Sequence, residues 1–406
     1  MRLFDEQNSV RLTTKLLICL ALFVVNSVHA KQAVIASYYA SDGNIEAIKQ
    51  LPAHKLTHIL YAFIAICGDN SGADKQTQLA IKKACKDKKN YSAVLFNPAA
   101  KAELDAFKQL KQQHAQLKVL PSFGGWILSQ PFHDIVKTQD NLAYFVKSAV
   151  ELIAEYDVFD GIDIDWEYPG GGGNQQPILD GAAADNERIQ YTNMMKLLRH
   201  KMDQLALKTG RTYLLSAAVN GMPYKVNAID WRGVIPYMDY VFAMTYDFAV
   251  GDGRAAHHTN LFSDASGSMS ASAMLENLLV AGVPSQKLVM GAAFYGRGWT
   301  QSGWQGEAFA DNSQSVSTGS YQYRELIDQP PAGYVYGFDK KAQAPYFYNS
   351  ANDGFISFDD ARSIEAKARW AKQKDLAGIF SWQIRQDNGD LLDAMLKGFA
   401  AKPDVQ

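Results

Sequence analysis

The sequence predicts an α/β protein built as a (β/α)8 barrel, the TIM-barrel architecture. Eight short apolar runs rich in β-branched and aromatic residues follow one another along the chain, with helical patterns between most of them. Strands that alternate with helices over about 350 residues are typical of this barrel. A doubly wound open sheet is the alternative, but no G-x-G-x-x-G pattern follows the first run.

The predicted strands share this composition and cover residues 33–39, 57–64, 118–123, 159–166, 213–219, 240–246, 288–294 and 377–382. Helical patterns cover residues 186–205, 272–281 and 359–374. The span 298–355 breaks this alternation with Gly, Ser, Gln and aromatic residues. We therefore predict a small α+β insertion between strand seven and its following helix. The catalytic barrel is expected over residues 31–398, with a C-terminal tail over 399–406.

The N-terminus predicts a secretory signal peptide. Residues 16–25 are apolar, basic residues precede them, and residues 28–30 read Val-His-Ala, an acceptable cleavage site. The run is short for a permanent bilayer span, although a retained anchor is the alternative. We expect a signal peptide over residues 1–30 and a secreted protein, extracellular or periplasmic. After removal of the leader, we expect no stable membrane insertion.

The composition limits the classes of partner and the redox environment. The chain is 47% hydrophobic and 20% charged, as expected for a soluble protein with a large core, and its formal charge of −2 gives no support to a nucleic-acid partner. The aromatic content of 12% suits a surface that stacks on sugar rings. Without the leader, Cys67 and Cys85 remain, and a disulfide between them is expected, with two unpaired thiols as the alternative. We expect a monomer.

The fourth predicted strand carries the strongest functional signal. Residues 159–167 read F-D-G-I-D-I-D-W-E, so that Asp163, Asp165 and Glu167 lie two apart. Residues two apart on a strand project from the same face, and carboxyls this close should raise one another's pKa. We interpret the strand as carrying the carboxyl groups of an acid–base catalytic site. A half-exposed solvated strand and a Ca²⁺ or Mg²⁺ site are the alternatives, although no D-x-D-x-D-G loop is present.

Five motifs, in order along the chain, resemble those of family 18 glycoside hydrolases, and among these the bacterial exported chitinases. They are S-F-G-G-W over 122–126, D-x-x-D-x-D-x-E over 160–167, M-T-Y-D over 244–247, Y-G-R-G-W over 295–299 and F-S-W over 380–382. The resemblance covers nearly the whole chain after the leader. It also places Cys67 and Cys85 where similar chitinases have a disulfide loop.

The resemblance implies five catalytic residues and a retaining, substrate-assisted reaction, in which the acetamide oxygen of the sugar attacks its own anomeric carbon. Glu167 would be the proton donor. Asp165 would orient the acetamide N–H and share a proton with Asp163. Tyr246 would bind the acetamide oxygen, and Asp247 would hold the distorted sugar.

The resemblance further implies residues that bind substrate or support the acids. These are Tyr38, Phe63, Ser122, Trp126, Met244, Tyr295, Arg297 and Trp382. Within this set, Tyr38 and Ser122 match positions that stabilise the deeper aspartates, and Trp382 resembles an indole floor under the reacting sugar. His257 and His258 are expected to be solvated loop residues, because no third metal ligand lies at a recognisable spacing. No metal or organic cofactor is implied.

The resemblance thus implies a secreted chitinase that cleaves β-1,4 linkages in chitin or N-acetylglucosamine oligosaccharides. An endo-β-N-acetylglucosaminidase acting on N-glycans is the first alternative, because it uses the same barrel and the same acid. A non-catalytic chitin-binding lectin is the second alternative. Such lectins typically lack the acid, whereas Glu167, Asp165 and Tyr246 are all present here.

Overall fold

The computed structural model describes residues 32–310 and 314–401. The predicted signal peptide and residues 402–406 of the predicted tail lie outside the described residues. The described strands are β1 (Val34–Ala40), β2 (His58–Ile66), β3 (Ala93–Val94), β4 (Lys118–Gly124), β5 (Gly161–Asp165), β6 (Leu214–Val219), β7 (Tyr240–Ala243), β8 (Leu288–Ala293), β9 (Tyr295–Thr300), β10 (Val316–Gln322), β11 (Val335–Asp339), β12 (Ala344–Asn349), β13 (Gly354–Ser357) and β14 (Gly378–Trp382).

The helices of the described residues lie mainly between the barrel strands. They are α1 (Ile45–Lys49), α2 (Lys75–Ala84), α3 (Ala100–Gln113), α4 (Gln130–Ile135), α5 (Gln139–Glu155), α6 (Gly181–Thr209), α7 (Pro223–Val226), α8 (Trp231–Val234), α9 (Ala271–Ala281), α10 (Tyr323–Asp328), α11 (Ala361–Gln373) and α12 (Asp390–Ala400). The helical pattern at 186–205 is confirmed as part of the longer α6. Within the described part of the chain, no helix is both long and apolar enough to cross a membrane.

Eight parallel strands close into a barrel, which confirms the predicted fold class. Their order around the barrel is β1, β2, β4, β5, β6, β7, β8 and β14, and β14 pairs in turn with β1. The closing pair aligns Val34 with Gly378, and β1 aligns Ala36 with His58 on β2. Since all eight strands run the same way, their carboxyl ends meet at one rim, where such barrels place their active sites.

The barrel strands are buried on both faces, as parallel sheets require. On β5, Ile162 and Ile164 pack in the large apolar layer between the sheet and the helices. The alternate residues Asp163 and Asp165 are 0% and 3% exposed, and they face the other side of the strand, toward the barrel interior. The acidic face of β5 is therefore enclosed, which rules out the alternative of a half-exposed, solvated strand.

A second sheet lies between β8 and α11, in the span predicted as an α+β insertion. Its five antiparallel strands run in the order β10-β9-β13-β12-β11, and α10 follows β10. A separate small apolar cluster that includes Trp299, Trp304, Phe309 and Phe355 packs there. The Y-G-R-G-W motif forms β9 of this sheet rather than the end of the seventh barrel strand, so the insertion presents Arg297 to the barrel rim.

Cys67 and Cys85 form the expected disulfide, with a Cα–Cα distance of 5.7 Å. The bridge joins the end of β2 to the C-cap of α2 and closes a loop of 18 residues. A loop of this length predicts a stabilisation of about 3 kcal/mol.

We therefore expect the double variant Cys67→Ala/Cys85→Ala to lose about 3 kcal/mol of unfolding free energy, measured by urea titration. Because neither cysteine lines the cleft described below, kcat at 20 °C should stay near the wild-type value. A tenfold loss of kcat in the folded variant would contradict this.

Candidate active site

A cleft of about 1040 Å³ opens at the carboxyl ends of the barrel strands. Asp165 and Glu167 line it at its base, Tyr246 and Asp247 come from the segment after β7, and Arg297 comes from β9. The aromatic and apolar lining residues are Phe63, Trp126, Ile127, Tyr168, Met222, Tyr224, Met244, Phe248, Tyr295 and Trp382. The cleft thus combines a few convergent carboxyls with a largely apolar wall, the usual composition of a small-molecule site.

Asp163 lies beneath the cleft and is satisfied by three hydroxyl groups. Its Oδ2 accepts hydrogen bonds from the Tyr38 hydroxyl at 3.0 Å and from Ser122 Oγ at 2.7 Å, and its Oδ1 accepts one from Ser216 Oγ at 2.6 Å. Burial raises the pKa of Asp163 above its usual value, and the three hydrogen bonds oppose this shift. Tyr38 and Ser122, included among the substrate-binding residues, are thus not on the cleft wall; both are buried and support Asp163.

Asp165 is the next acid toward the cleft, and one of its carboxyl oxygens, called the bare oxygen below, accepts no hydrogen bond within the described part of the chain. Its Oδ1 is buried and has no hydrogen-bond partner among the described residues. Burial, with the neighbouring Glu167 and Asp163 carboxyls, raises the pKa of Asp165 well above its usual value. A buried acceptor without a partner costs about 1–3 kcal/mol, so this oxygen is placed for a donor that arrives with a ligand.

Glu167 follows β5 by two residues and lines the cleft. Its backbone N–H donates to Ser129 Oγ at 2.9 Å, and that hydroxyl donates in turn to the Gly125 carbonyl at 2.8 Å. Burial raises the pKa of the Glu167 carboxyl to about 7, and the Asp247 charge adds to this shift, while Tyr168 and Lys225 oppose it. A carboxyl with this pKa holds its proton near neutral pH and can act as a general acid.

Asp247 is a fixed anion on the opposite wall. Arg297 donates to it twice, from Nε to Oδ1 at 2.9 Å and from the terminal Nη2 to Oδ2 at 2.9 Å. Burial would raise the pKa of Asp247, but the nearby His258 and the two hydrogen bonds from Arg297 outweigh it and hold the pKa well below its usual value. Burial raises the pKa of the adjacent Tyr246 well above its usual value, so this phenol keeps its proton and can donate it in a hydrogen bond.

The expectation that His257 and His258 are solvated is wrong. Both side chains are 0% exposed. His258 Nδ1 lies 3.6 Å from Asp247 Oδ1, and its Nε2 lies 3.2 Å from the Tyr295 carbonyl oxygen. His257 packs between the rings of the insertion, with Nε2 3.3 Å from Asp339 Oδ2. The part of the chain that the structure describes holds no cluster of three His, Cys, Asp or Glu side chains able to bind a metal ion.

The aromatic side chains form a floor and a rim. Trp382, at the end of β14, stacks on Phe63 with ring centroids 5.6 Å apart and an interplanar angle of 16°. Trp126 is 49% exposed at the edge of the cleft, where a ring could cover a sugar face. Met244 and Tyr295 also line the cleft, although Tyr295 is largely buried against Tyr246. The structure thus brings most of the predicted binding residues to one cleft.

Four residues that support the carboxyls were missed from the sequence. They are Ser129, Ser216, Lys225 and His258. Ser216 had a local signal, because it is the single polar residue in the apolar run L-L-S-A-A-V of β6. A lone hydroxyl on a strand buried on both faces needs a partner, and the acids of the neighbouring strand provide one.

The family of the chain is shown by comparison with known proteins. Residues 34–387 match the family model described as glycosyl hydrolases family 18. Chitinase A of Pseudoalteromonas piscicida is 34% identical over 421 residues, which cover 87% of this chain and 50% of that protein. The probable endochitinase of Orgyia pseudotsugata multicapsid polyhedrosis virus is 32% identical, over 88% of this chain and 70% of the viral protein. The chain therefore spans half of the length of the first relative.

Solved structures agree with the sequence comparison. A glycoside hydrolase family 18 N-acetylglucosaminidase from Paenibacillus barengoltzii superposes with a TM-score of 0.74 at 28% identity, covering 90% of this chain and all of that chain. Chitinase ChiW of Paenibacillus sp. str. FPU-7 superposes with a TM-score of 0.76 at 30% identity, covering 91% of this chain and 33% of that one. The match over 34–387 spans most of the sequence. The chain belongs to family 18 of the glycosyl hydrolases.

Proposed function

We propose that the protein is a chitinase that hydrolyses β-1,4 linkages between N-acetylglucosamine units of chitin or its oligosaccharides. The row of Asp163, Asp165 and Glu167 carries the proposal, because it ends in a protonated carboxyl at the base of an aromatic cleft. The names of the relatives, a chitinase and a probable endochitinase, support the same substrate class. We further propose a retaining, substrate-assisted mechanism.

In the first step, Glu167 donates its proton to the glycosidic oxygen, and the bond between that oxygen and the anomeric carbon breaks. The acetamide oxygen of the same sugar forms a new bond to the anomeric carbon, giving an oxazolinium ion. The bare Oδ1 of Asp165 accepts the acetamide N–H. With the shared proton held on Asp163, the negative charge of Asp165 stabilises the cation that develops. The Tyr246 hydroxyl donates to the acetamide group and fixes its orientation.

In the second step, water adds to the anomeric carbon from the face that the leaving group vacated. Glu167, now ionised, takes the proton from this water, and the oxazolinium ring opens to the free acetamide. Two displacements at the same carbon retain the β-configuration. The carboxyl of Glu167 has its proton again at the end of the cycle, as general acid–base catalysis requires.

The contacts of Asp247 favour the acetamide as the nucleophile. Retaining glycosidases of the usual kind need a second free carboxylate beside the anomeric carbon. Both oxygens of Asp247 accept hydrogen bonds from Arg297 at 2.9 Å, so this carboxylate is held as part of the wall. Asp165, the last residue of β5 and two residues before Glu167, is the other acid of the row that lines the cleft, and its enclosed position suits orienting the acetamide group.

We also propose that the protein is exported. The predicted signal peptide supports this proposal, as does the disulfide between Cys67 and Cys85, because such bonds persist mainly in oxidising compartments. The relatives with chitinase names are consistent with a polymeric substrate outside the cell, which an exported enzyme would reach.

A comparison of two substrates tests the proposed function. The protein is incubated with chitotetraose and, separately, with a glycoprotein that carries high-mannose N-glycans, and the products are separated by mass spectrometry. We expect release of shorter N-acetylglucosamine oligosaccharides and no release of glycans. Release of glycans with intact chitotetraose would instead establish the endo-β-N-acetylglucosaminidase. Binding of chitotetraose without turnover would point to the lectin.

The raised pKa of Glu167 predicts the pH dependence of the proposed reaction. Glu167 must be protonated to act as the acid, and burial raises its pKa to about 7. We therefore expect kcat/KM to fall about tenfold per pH unit above pH 7, because the protonated fraction falls by that factor. The measurement is kcat/KM on a fluorogenic chitooligosaccharide between pH 4 and 9. An activity that falls already above pH 5 would show that the pKa of the acid is not raised.

A further inference from the structure

Lys225 is a buried lysine in the cleft wall near Glu167. It is the third residue of α7, and only 4% of its surface is exposed. Its Nζ donates to the Gly171 carbonyl at 2.6 Å and lies 3.9 Å from the centroid of the Tyr168 ring. A buried ammonium is costly unless partners hold it, so these contacts fix where the positive charge lies. The positive charge therefore lies against Tyr168 and Gly171, in the segment that directly follows Glu167.

The segment that Lys225 holds is a run of glycines. Gly170, Gly171 and Gly172 have φ values of 78°, 76° and 72°, in the left-handed region that favours glycine. A Cβ atom at Gly172 would lie 2.9 Å from the Lys225 Nζ, so the loop and the lysine are in close contact. The backbone of this loop could approach the lysine this closely only without side chains.

A second buried charge holds the same loop. The Gly170 N–H donates to Glu187 Oε2 at 2.8 Å, and Glu187 Oε1 lies 2.6 Å from His133 Nδ1. Glu187 and Lys225 thus bind consecutive residues of one loop, the acid at an N–H and the lysine at a carbonyl. The pairing suits each group, because a carboxylate accepts hydrogen bonds and an ammonium donates them. The loop that carries Glu167 into the cleft is therefore held at two points.

We propose that Lys225 is a positioning residue for the acid–base cycle of Glu167. It fixes the loop that follows the acid, and its charge favours the carboxylate that Glu167 becomes after it has protonated the leaving group. A charge that is already in place needs no reorganisation when the carboxylate forms. The inference rests on the proposed function, which supplies the reaction in which Glu167 changes its charge.

Other titratable groups share the local electrostatic field. Arg297, another cation of the cleft wall, donates two hydrogen bonds to Asp247. Burial lowers the pKa of Lys225 to about 8, against the opposing effect of the Glu167 carboxylate. The groups on the surrounding elements are Asp163 and Asp165 on β5, Tyr168 in the glycine loop, His133 on α4, Glu187 on α6, Tyr224 on α7, Tyr246 and Asp247 after β7, Arg254 and His258 in the following segment, and Tyr295 and Arg297 on β9.

The test is the pH dependence of kcat/KM in Lys225→Met, which keeps the aliphatic stem and removes the charge. Without the cation, the ionised form of Glu167 is less favourable, which raises the pKa of Glu167. The alkaline limb of the profile, where kcat/KM falls with rising pH, should therefore begin about one pH unit higher. The plateau of kcat should fall about tenfold, because Glu167 becomes a weaker acid and its loop loses a support. Lys225→Arg keeps the charge and should leave the limb at its wild-type position.

Lys287→Met is the matched control. The Lys287 Nζ donates to two carbonyls, those of Ile235 and Met238, at 2.9 and 2.6 Å, and it is not among the residues that line the cleft. This variant should lose stability without moving the limb. Lys225→Gln is the second neutral variant, for use if Lys225→Met does not fold.

Two results would count against different claims. An alkaline limb that stays in place in a folded, neutral variant of Lys225 overturns the role assigned to Lys225. A wild-type protein that does not hydrolyse chitooligosaccharides at any pH overturns the proposed function instead, and with it the reaction on which this inference rests.

Discussion

Replacement of Glu167 by Gln is expected to lower kcat for chitotetraose by about 10³-fold, with binding of the oligosaccharide retained. The amide has nearly the same shape as the protonated carboxyl, so the cleft and its aromatic floor should stay intact. The amide N–H is too weak an acid to protonate the glycosidic oxygen. Loss of general acid catalysis lowers the reaction rate by about 10²- to 10⁴-fold. The measurement is kcat by product formation, together with the dissociation constant by calorimetry.

The same variant should also be more stable than the wild type at high pH. The pKa of Glu167 is raised in the folded protein to about 7, so the folded state binds more protons than the unfolded state between the ordinary glutamate pKa and pH 7. Wild-type stability therefore falls as pH rises through that window, whereas Gln does not titrate. We expect the Tm of Glu167→Gln to exceed that of the wild type by a few degrees at pH 8, and to match it at pH 4.

Glu103→Gln is the control for a carboxyl that is buried but lies outside the cleft. Glu103 is 0% exposed, and its carboxylate accepts hydrogen bonds from the hydroxyls of Tyr61 and Ser41 and from the Gly43 N–H. This variant should lose stability and keep kcat. If Glu167→Gln kept more than a tenth of wild-type kcat, Glu167 would not be the proton donor.

Replacement of Asp165 by Asn is the second change with a large expected effect. The bare Oδ1 of Asp165 is the proposed acceptor for the acetamide N–H. In the proposed mechanism its charge, with the shared proton held on Asp163, stabilises the oxazolinium ion. Loss of a preorganised group that acts on transition-state charge costs about 10²- to 10³-fold in kcat. We expect a loss of that size with KM changed by only a few-fold. Kinetics on chitotetraose at pH 6 measures it.

Asp160→Asn is the control, because it makes the same chemical change at the residue before the start of β5. Asp160 Oδ2 accepts hydrogen bonds from the Val119 N–H at 2.8 Å and from Lys111 at 2.5 Å, and Oδ1 accepts one from Arg211 at 3.3 Å. It thus pairs with two cations in a structural cluster, and its loss should cost about 3–5 kcal/mol of stability with kcat preserved in the folded protein. Equal losses of kcat in the two variants would indicate a general disturbance of β5 in place of a specific role for Asp165.

The fold was predictable from the sequence because a parallel barrel repeats one local pattern. Each barrel strand is a short apolar run, and most of these runs are followed by a helix, so the alternation is visible even where boundaries shift. The fourth predicted strand, at 159–166, is for example β5 of the structure and runs over Gly161–Asp165. The insertion has no such rhythm, because antiparallel strands with mixed exposure, such as β10 and β11, lack a continuous apolar run.

The carboxyls of the site were predictable, whereas their partners were not. Acids at alternate positions of a buried strand stand out in the sequence, since they would be costly there without a function. Lys225 reaches the site from α7 and His258 from the segment after β7, both far along the chain from β5, and their burial depends on tertiary packing. The peptide bonds Ala62–Phe63 within β2, Glu167–Tyr168 after β5 and Trp382–Gln383 at the end of β14 are cis, and no local signal marks cis bonds without proline.

The anomeric configuration of the first product tests the central claim most directly. Hydrolysis of chitotetraose by the wild-type protein is followed by proton NMR during the first minutes, before the anomers of the new reducing end equilibrate. The mechanism predicts the β-anomer first, and no product in the same time from Glu167→Gln. The α-anomer as the first product would contradict it, because inversion requires direct attack by water, without an oxazolinium ion.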